Sequence, residues 1–565
     1  MVGHDLVHAG RRVPLATGRT LFDAADELAM VVPASCRRSG RCRECVVEVV
    51  EGAEALNDPV PSETFLRPGF RLACQARIER APEGDLEFAV LRRRLRIFPP
   101  PPGPPLDIDP VVELVDGRIR RGGEDVGPAR GRLLGVAVDL GTTTVVVEIV
   151  DLTDGSSLAA GAFENPQRFG GGDVMSRIAY DAVQPGELRR ALRRALNGEL
   201  RRLYAIAGID RHEVVEVVAV GNATMRDMFF GLDVASIGRT PYRSGTEVAW
   251  RAGVASTTAV ARLAHELGFL VHPRARIWGA PLIACHVGAD AAADLVATGA
   301  ADTGPTGLGV DQSPGAVDAG GGGMRSPRRI SMLIDIGTNT EVIASDGDRI
   351  LAASCPAGPA FEGGLVRYGM PGADGAIEAV RYGEGTWNAR TIGDVEPEGL
   401  CGSGLVDLLA ELRRLGWMTP SGVFTDGSRE IVIDAARGIS ISRADVSHLA
   451  QAKAANAAGF QIVLRRLGAG SDDLAVLHLA GGFASSLDIR NAQAIGFLPP
   501  IPLDRVVTHG NASVRGAKAL LLSGRARTRL EALVGRIEHV ELETESAFFD
   551  LFVEGCRFVP LQDGA

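Results

Sequence analysis

The sequence predicts a small α+β unit at the N-terminus followed by a large α/β region built as two lobes. Three observations carry this. Cys36, Cys42, Cys45 and Cys74 fall within the first 94 residues, among short alternating runs. An Asp-x-Gly-Thr phrase stands at Asp139–Thr142 and again at Asp335–Thr338, each time after an apolar strand. Between the two regions lies Pro99–Pro105, which neither a helix nor a central strand can absorb. A chain of 565 residues should hold several domains. The expected boundaries are 1–94, a proline-rich linker over 95–132, and 133–565.

Composition narrows the class. Hydrophobic residues make up 45 % of the chain, enough for sizeable cores, while 23 % charged residues keep its surface polar. A net charge of −10 argues against nucleic acid as a partner. No apolar run reaches membrane-spanning length, so no membrane association is expected. Met1–His8 does not read as a signal peptide, and cytoplasmic placement is expected. Cys285, Cys355, Cys401 and Cys556 are scattered and read as reduced thiols, not a disulfide framework. Lys453 and Lys518 are the two lysines, arginine otherwise carrying the positive charge.

In the first unit, Leu6–Val7 and Val13–Leu15 flank a glycine turn and predict a hairpin. Thr20 is placed to cap a helix over Leu21–Met30, whose Leu21, Ala24, Ala25, Leu28 and Ala29 share one face. Cys45–Val50 and Phe70–Ile78 alternate as strands, putting Cys74 on or beside one of them. The C-x5-C-x2-C run from Cys36 to Cys45, closed by Cys74, suits a 2Fe-2S cluster held by four thiolates. Gly40 and Ser39 let loop amides turn toward the inorganic sulfides, and neighbouring arginines offset the cluster's charge. The competing reading is a zinc site on Cys42 and Cys45, but Cys74 lacks the paired neighbour such a site commonly uses.

The seven-residue stretch Pro99–Pro105 favours an extended polyproline conformation spanning roughly 20 Å at about 3.1 Å per residue. It reads as a semi-rigid spacer for a domain that must swing, or as an inert linker. A second biased stretch, 303–328, with Gly320–Gly323 and several prolines, reads as a disordered insertion.

The repeated phrase explains the large region. In each copy a buried strand runs into Asp-x-Gly-Thr and then a second strand: a β-hairpin with a Gly-Thr tip. Glycine lets phosphate approach the backbone, turn amides and threonine hydroxyls donate to it, and the aspartate can hold Mg2+ through water. One copy is weak, since such a turn can simply close a hairpin. Two copies roughly 195 residues apart are far stronger. No P-loop motif is present. Lys453, within an apolar helical stretch, reads either as a nucleotide contact or as a snorkelling surface lysine. Cys401 beside Gly402–Gly404 is expected as a small buried turn residue, and His478 as a packing histidine. Asn222 and Thr224 follow an apolar strand at its end, where a ligand contact is favoured over packing.

Hairpin, helix, cysteine loop and strands resemble the β-grasp of 2Fe-2S ferredoxins. The two hairpins resemble the actin-like ASKHA ATPase clan, which clamps ATP between duplicated α/β lobes. In that likeness Gly288–Asp294 matches the first connecting helix, Ser513–Ala517 the second, and Leu477–Phe483 the adenosine loop. The pairing resembles the reductive activators of corrinoid-dependent methyltransferases. Further phrases carry that likeness: Asn165–Gln167 with Gly172–Ile178, Gly221–Met225, Ala357–Gly363, Gly399–Leu405 and Ile495–Pro499. The short interval before Leu133 implies that the small middle domain of several family members is reduced or absent.

The resemblance implies roles. Cys36, Cys42, Cys45 and Cys74 would hold the cluster. Asp139, Gly141, Thr142 and Thr143 would meet phosphate from one lobe, and Asp335, Gly337, Thr338 and Asn339 from the other. Asp290 would join the Mg2+ shell, while Gly481 and Gly482 would approach the adenosine. It implies an ATP-dependent iron–sulfur redox activator that returns one electron to a corrinoid protein of a methyltransferase system, restoring Co(I) from Co(II). A plant-type centre sits near −400 mV, and a further gap of about 150 mV for one electron is about 3.5 kcal/mol, within reach of nucleotide-driven states. A low-potential electron donor is implied, and the oligomeric state stays open, a homodimer included. Two alternatives remain: a 2Fe-2S carrier on a non-hydrolysing ASKHA scaffold, and an ATP-dependent activator of another low-potential enzyme.

Overall fold

The computed structural model describes residues 5–8, 11–14, 16–28, 30–82, 85–91, 94–95, 106–301, 329–482 and 484–561. Pro99–Pro105, the 303–328 stretch, Ala29 and Phe483 lie outside them.

The N-terminal unit is a five-stranded mixed sheet carrying one helix, as the β-grasp reading requires. Strands Asp5–His8 and Arg11–Pro14 pair as the expected hairpin, and the first of them runs parallel to Leu86–Val90. Thr20 caps the helix Leu21–Glu27: its hydroxyl accepts from the Asp23 amide, and the Asp23 carboxylate accepts in return from the Thr20 amide. Leu21, Ala24, Ala25 and Leu28 are buried on the predicted face. The strand beginning at Phe70 stops at Leu72, shorter than expected. The Gln75 and Ala76 amides turn back onto the Leu72 carbonyl, so Cys74 sits in a turn beside the sheet.

Part of the expected 95–132 linker is folded. Val112–Val115, Arg118–Arg121 and Glu124–Pro128 form a three-stranded antiparallel sheet whose Val112, Ile119 and Val126 are buried. Arg121 ties it to the next domain by donating to the Val215 carbonyl (2.9 Å) and to Glu216 (3.2 Å). Composition around the proline run hid these short alternations.

The remainder is two lobes of one plan. In the first, Leu134–Leu140, Thr144–Asp151 and Ser157–Glu164 run antiparallel, and Val214–Gly221 joins parallel to Leu134–Leu140. In the second, Ile330–Ile336, Thr340–Ser345 and Ile350–Cys355 repeat that meander, with Leu474–Ala480 and then Val506–Gly510 added in parallel. Every residue of Leu134–Leu140 is buried, as a strand sandwiched between helices should be. Between the lobes the helix Ala289–Thr298 packs on the helix Ala512–Leu522. Contact is backbone-close at Gly516, where a Cβ would stand 2.0 Å from the Ala293 carbonyl oxygen. That crossing puts the two Asp-x-Gly-Thr tips face to face. Among the described residues no helix is long and apolar enough to cross a membrane.

Candidate functional site

The cysteine loop holds its thiols in two pairs. Cys45 and Cys74 have Sγ atoms 3.4 Å apart, and the Cys36 thiol interacts with Cys42. Two pairs match what two irons require, so the donor set fits a 2Fe-2S cluster. Burial opposes the Cys36 thiolate, but hydrogen bonds from the Cys42 amide and from Ser39 outweigh it and bring the thiol down to about 6. Cys74 is brought to about 6, chiefly by its hydrogen bond with Cys45, helped by Gln75 and the Gly40 amide. Sequence reasoning gave the loop's freedom to Gly40, which does adopt φ +75°. Arg37, Arg38 and Arg43 also take positive φ (52°, 65° and 57°), conformations that non-glycine residues rarely hold outside functional loops.

This loop is docked on the first lobe. Arg194 donates to the Cys42 carbonyl (2.7 Å), while Arg43 pairs with Glu187 (2.5 Å) and lies 4.5 Å over the Phe65 ring. Arg67 donates to the Gly170 carbonyl (3.0 Å). Phe65, Phe169 and Tyr180 stack edge to face, each successive pair 5.6 Å apart.

A second site lies between the lobes, an open cleft of about 760 Å3. It is lined by Asp139, Gly141, Thr142 and Thr143 from one hairpin and by Asp335, Gly337, Thr338 and Asn339 from the other. Asp290, Gly481 and Gly482 line it as well, whereas Thr224, where the sequence favours a ligand contact, is buried and does not. Asn222 lines it too, donating to the Thr142 hydroxyl (2.8 Å). Gly481 adopts φ +114°, and a Cβ there would meet the Ile336 carbonyl oxygen at 2.2 Å, so the second hairpin and this loop can approach only through glycine.

Acids crowd the cleft. Burial, then the charges of Asp290 and Asp335, push Asp139 up to about 8; Asn511 holds its Oδ2 at 3.2 Å. Burial and Asp335 push Asp290 up to about 7. Asp294, Asp335 and Glu341 are raised too, first by burial, and the Ser513 hydroxyl donates to Asp294 (3.0 Å). Stacked carboxylates with displaced proton affinity are what a bound cation would neutralise. No three His, Cys, Asp or Glu side chains among the described residues are gathered tightly enough to hold a metal ion outright.

Lys453 is the correction. It does not line the cleft, nor does it snorkel: its side chain is fully buried in the helix Arg443–Leu467. It donates to the Gly555 and Arg557 carbonyls, where burial lowers it to about 8. Cys401 is a buried turn residue facing the Ile377 carbonyl, and His478 packs against His509. Sequence reasoning missed Glu362, Glu341 and Asn511 as cleft residues. Glu362 was legible in one respect, an acid between Pro359 and Gly363 on a short loop after a buried strand.

Fold and site together define a β-grasp 2Fe-2S domain joined to a two-lobed ASKHA domain. The chain matches the 2Fe-2S iron–sulfur cluster binding domain over residues 7–79, the RACo middle region over 134–303 and the C-terminal ASKHA domain of RACo over 329–563. It belongs to the RACo family. The interval between the two RACo matches coincides with the 303–328 stretch. The corrinoid activation enzyme RamQ of Eubacterium limosum is 29 % identical over 453 residues, covering 75 % of this chain and 70 % of that one. The Co(II) methylated amine-specific corrinoid protein reductase of Methanosarcina barkeri is 23 % identical over 459 residues, covering 74 % and 76 %. A solved reductive activator for corrinoid, iron–sulfur protein superposes with a TM-score of 0.69 over 98 % of each chain, at 25 % identity.

Proposed function

We propose that this protein reductively activates a corrinoid protein, returning one electron to Co(II) to restore Co(I), and that ATP bound between the lobes drives the step. The observation that supports this best is the union of the two sites: the cysteine loop rests on the lobe that supplies one phosphate hairpin. When bound, the cluster supplies the single electron, near −400 mV for a plant-type centre. Cys36 and Cys42 would hold one iron, Cys45 and Cys74 the other. Gly141–Thr143 and Gly337–Asn339 present amides and hydroxyls to the phosphates from opposite sides. Asp139, Asp290 and Asp335 would share Mg2+ partly through water, since Mg2+ keeps several waters and takes phosphate oxygens as ligands. A ligand bridging both hairpins binds differently to open and closed lobes, and that differential affinity is the free energy available to an uphill transfer.

The test is anaerobic. Reduced, cluster-loaded protein is mixed with a corrinoid protein in the Co(II) state, with and without Mg-ATP, and the Co(I) absorption band is followed. Co(I) forming only with ATP supports the reading. Co(I) forming equally without nucleotide removes the ATP half. No Co(I) with several corrinoid partners, despite a reduced cluster and bound ATP, removes the corrinoid half.

A further inference from the structure

The two phosphate hairpins come from different lobes, yet one carboxylate joins them. Glu362 ends the short turn Pro359–Glu362, which follows the last strand of the second lobe's meander. Its Oε2 accepts from the Thr143 hydroxyl of the first lobe (2.9 Å) and from the Thr338 hydroxyl of the second. The two hydroxyl oxygens are 3.2 Å apart. The turn is held firmly behind it: Gly363 adopts φ +91°, and a Cβ there would stand 2.4 Å from the Met370 amide nitrogen.

The other acids of the cleft are engaged differently. Asp139 is held by Asn511, Asp294 by Ser513 and Glu341 by Ser354, whereas Glu362 is bound by the hairpin tips themselves. A terminal phosphate cradled by those tips would compete for the same two hydroxyls. The carboxylate would then be freed beside the phosphorus, in the same cleft that Asp139, Asp290 and Asp335 line. Burial raises the proton affinity of Glu362, while its hydrogen bonds from Thr338 and Thr143 and the Arg177 charge restrain it.

We propose that Glu362 is the catalytic base of this cleft: it links Thr143 to Thr338 until the terminal phosphate of ATP takes their hydroxyls, then orients and deprotonates the attacking water. The inference deepens the ATP reading above and rests on it. In the step, the water oxygen bonds to the terminal phosphorus as the bond from that phosphorus to its bridging oxygen breaks. The water proton passes to Glu362 and then to the phosphate product or solvent. ATP and water become ADP and inorganic phosphate, with no other reactant. Departure of the inorganic phosphate returns the two hydroxyls to Glu362, so the same carboxylate would re-join the lobes after each turnover.

The experiment uses the full, cluster-loaded chain with Glu362→Gln and Glu362→Asp. Single-turnover hydrolysis of Mg-ATP and calorimetric binding of Mg-AMPPNP are measured on each. Gln should lower hydrolysis on the order of 10²-fold while analogue binding stays equal or tightens, because a negative charge has left the phosphate site. Asp, which keeps the carboxylate, should recover at least tenfold over Gln. Hydrolysis by the Gln variant within about threefold of wild type would overturn the proposal. So would parallel loss of hydrolysis and analogue binding, the mark of a structural role. Should the Gln variant not fold, the Asp variant decides: hydrolysis lost in parallel with analogue binding would count against the base, whereas hydrolysis retained or lowered with binding intact would support it. Wild-type protein that binds neither ATP nor the analogue would overturn the ATP reading itself, a separate failure.

Discussion

Arg177 and Tyr180 stand one turn apart on the helix Val174–Val183 and reach different domains. Arg177 is buried and donates to the Thr142 carbonyl (2.8 Å), the tip of the first phosphate hairpin. Tyr180 donates its hydroxyl to the Phe65 carbonyl, across the boundary in the cysteine-loop domain. A single helix therefore touches both the phosphate turn and the cluster unit. Its position is fixed by Asp173, whose carboxylate caps it through the Ser176 amide (2.9 Å).

Tyr180→Phe should loosen the docked cluster domain without harming the cleft. The variant removes one interdomain hydrogen bond and keeps the aromatic stack on Phe169, an expected effect of about 1 kcal/mol. Hydrogen exchange over 61–66 should quicken severalfold, while Mg-ATP affinity changes less than threefold. Unchanged exchange would mean that the remaining interdomain contacts, those of Arg43, Arg67, Arg168 and Arg194 among them, dock the domain without it.

Thiol substitutions should separate the two sites. Cys45→Ser and Cys74→Ser each break one thiol pair and should abolish the visible absorption of the reconstituted cluster, leaving nucleotide binding intact. Cys401→Ser should change neither, because that thiol faces the Ile377 carbonyl (3.4 Å) far from the loop and serves only packing. Loss of the cluster signal in Cys401→Ser would contradict this assignment.

The parts of both sites that are local in sequence were legible in it. The cysteine spacing, the twin Asp-x-Gly-Thr tips and the glycine pair Gly481–Gly482 each carry their chemistry within a few residues, and the fold gathers the last two into one cleft. What escaped was made by long-range packing. Asn511 reaches Asp139, and Glu362 reaches Thr143, across hundreds of residues, and no periodicity encodes either meeting. Lys453 misled for the opposite reason. A rare residue type in an apolar helix invites a functional reading, whereas the structure gives it two backbone carbonyls.

A buried histidine and its half-buried partner should make the second lobe acid-sensitive. Arg515 donates to His509 Nδ1 (3.1 Å), which leaves the His509 Nε2 proton to donate to His478 Nδ1 (2.9 Å). Burial lowers His478 to about 4; burial, His478 and Arg515 lower His509 to about 3. Both folded values lie below the unfolded value of about 6.5. The unfolded chain therefore binds more protons in that window, and stability is lost as pH falls from about 6.5 toward 4. Each extra proton adds at most about 1.4 kcal/mol per pH unit to the slope. Asp139 and Asp290, whose values are raised, act in the opposite direction, so the useful quantity is a difference between proteins. His509→Gln should flatten the pH dependence of the melting temperature relative to wild type; parallel curves would refute the arrangement.

Lys453→Met should destabilise the fold and leave nucleotide binding alone. The ammonium sits where the helix Phe548–Gly555 ends, donating to the Gly555 and Arg557 carbonyls and lying 5.6 Å over the Phe558 ring. A cation there complements the negative end of the helix and satisfies carbonyls that would otherwise be buried unpaired. Methionine fills the same apolar channel but leaves both oxygens without that donor, an expected loss of about 1–3 kcal/mol. Chemical denaturation followed by tryptophan fluorescence measures it, and titration with Mg-ATP on the same samples supplies the control. A folded Lys453→Met protein with weakened nucleotide affinity would restore the role in the cleft that its burial denies it.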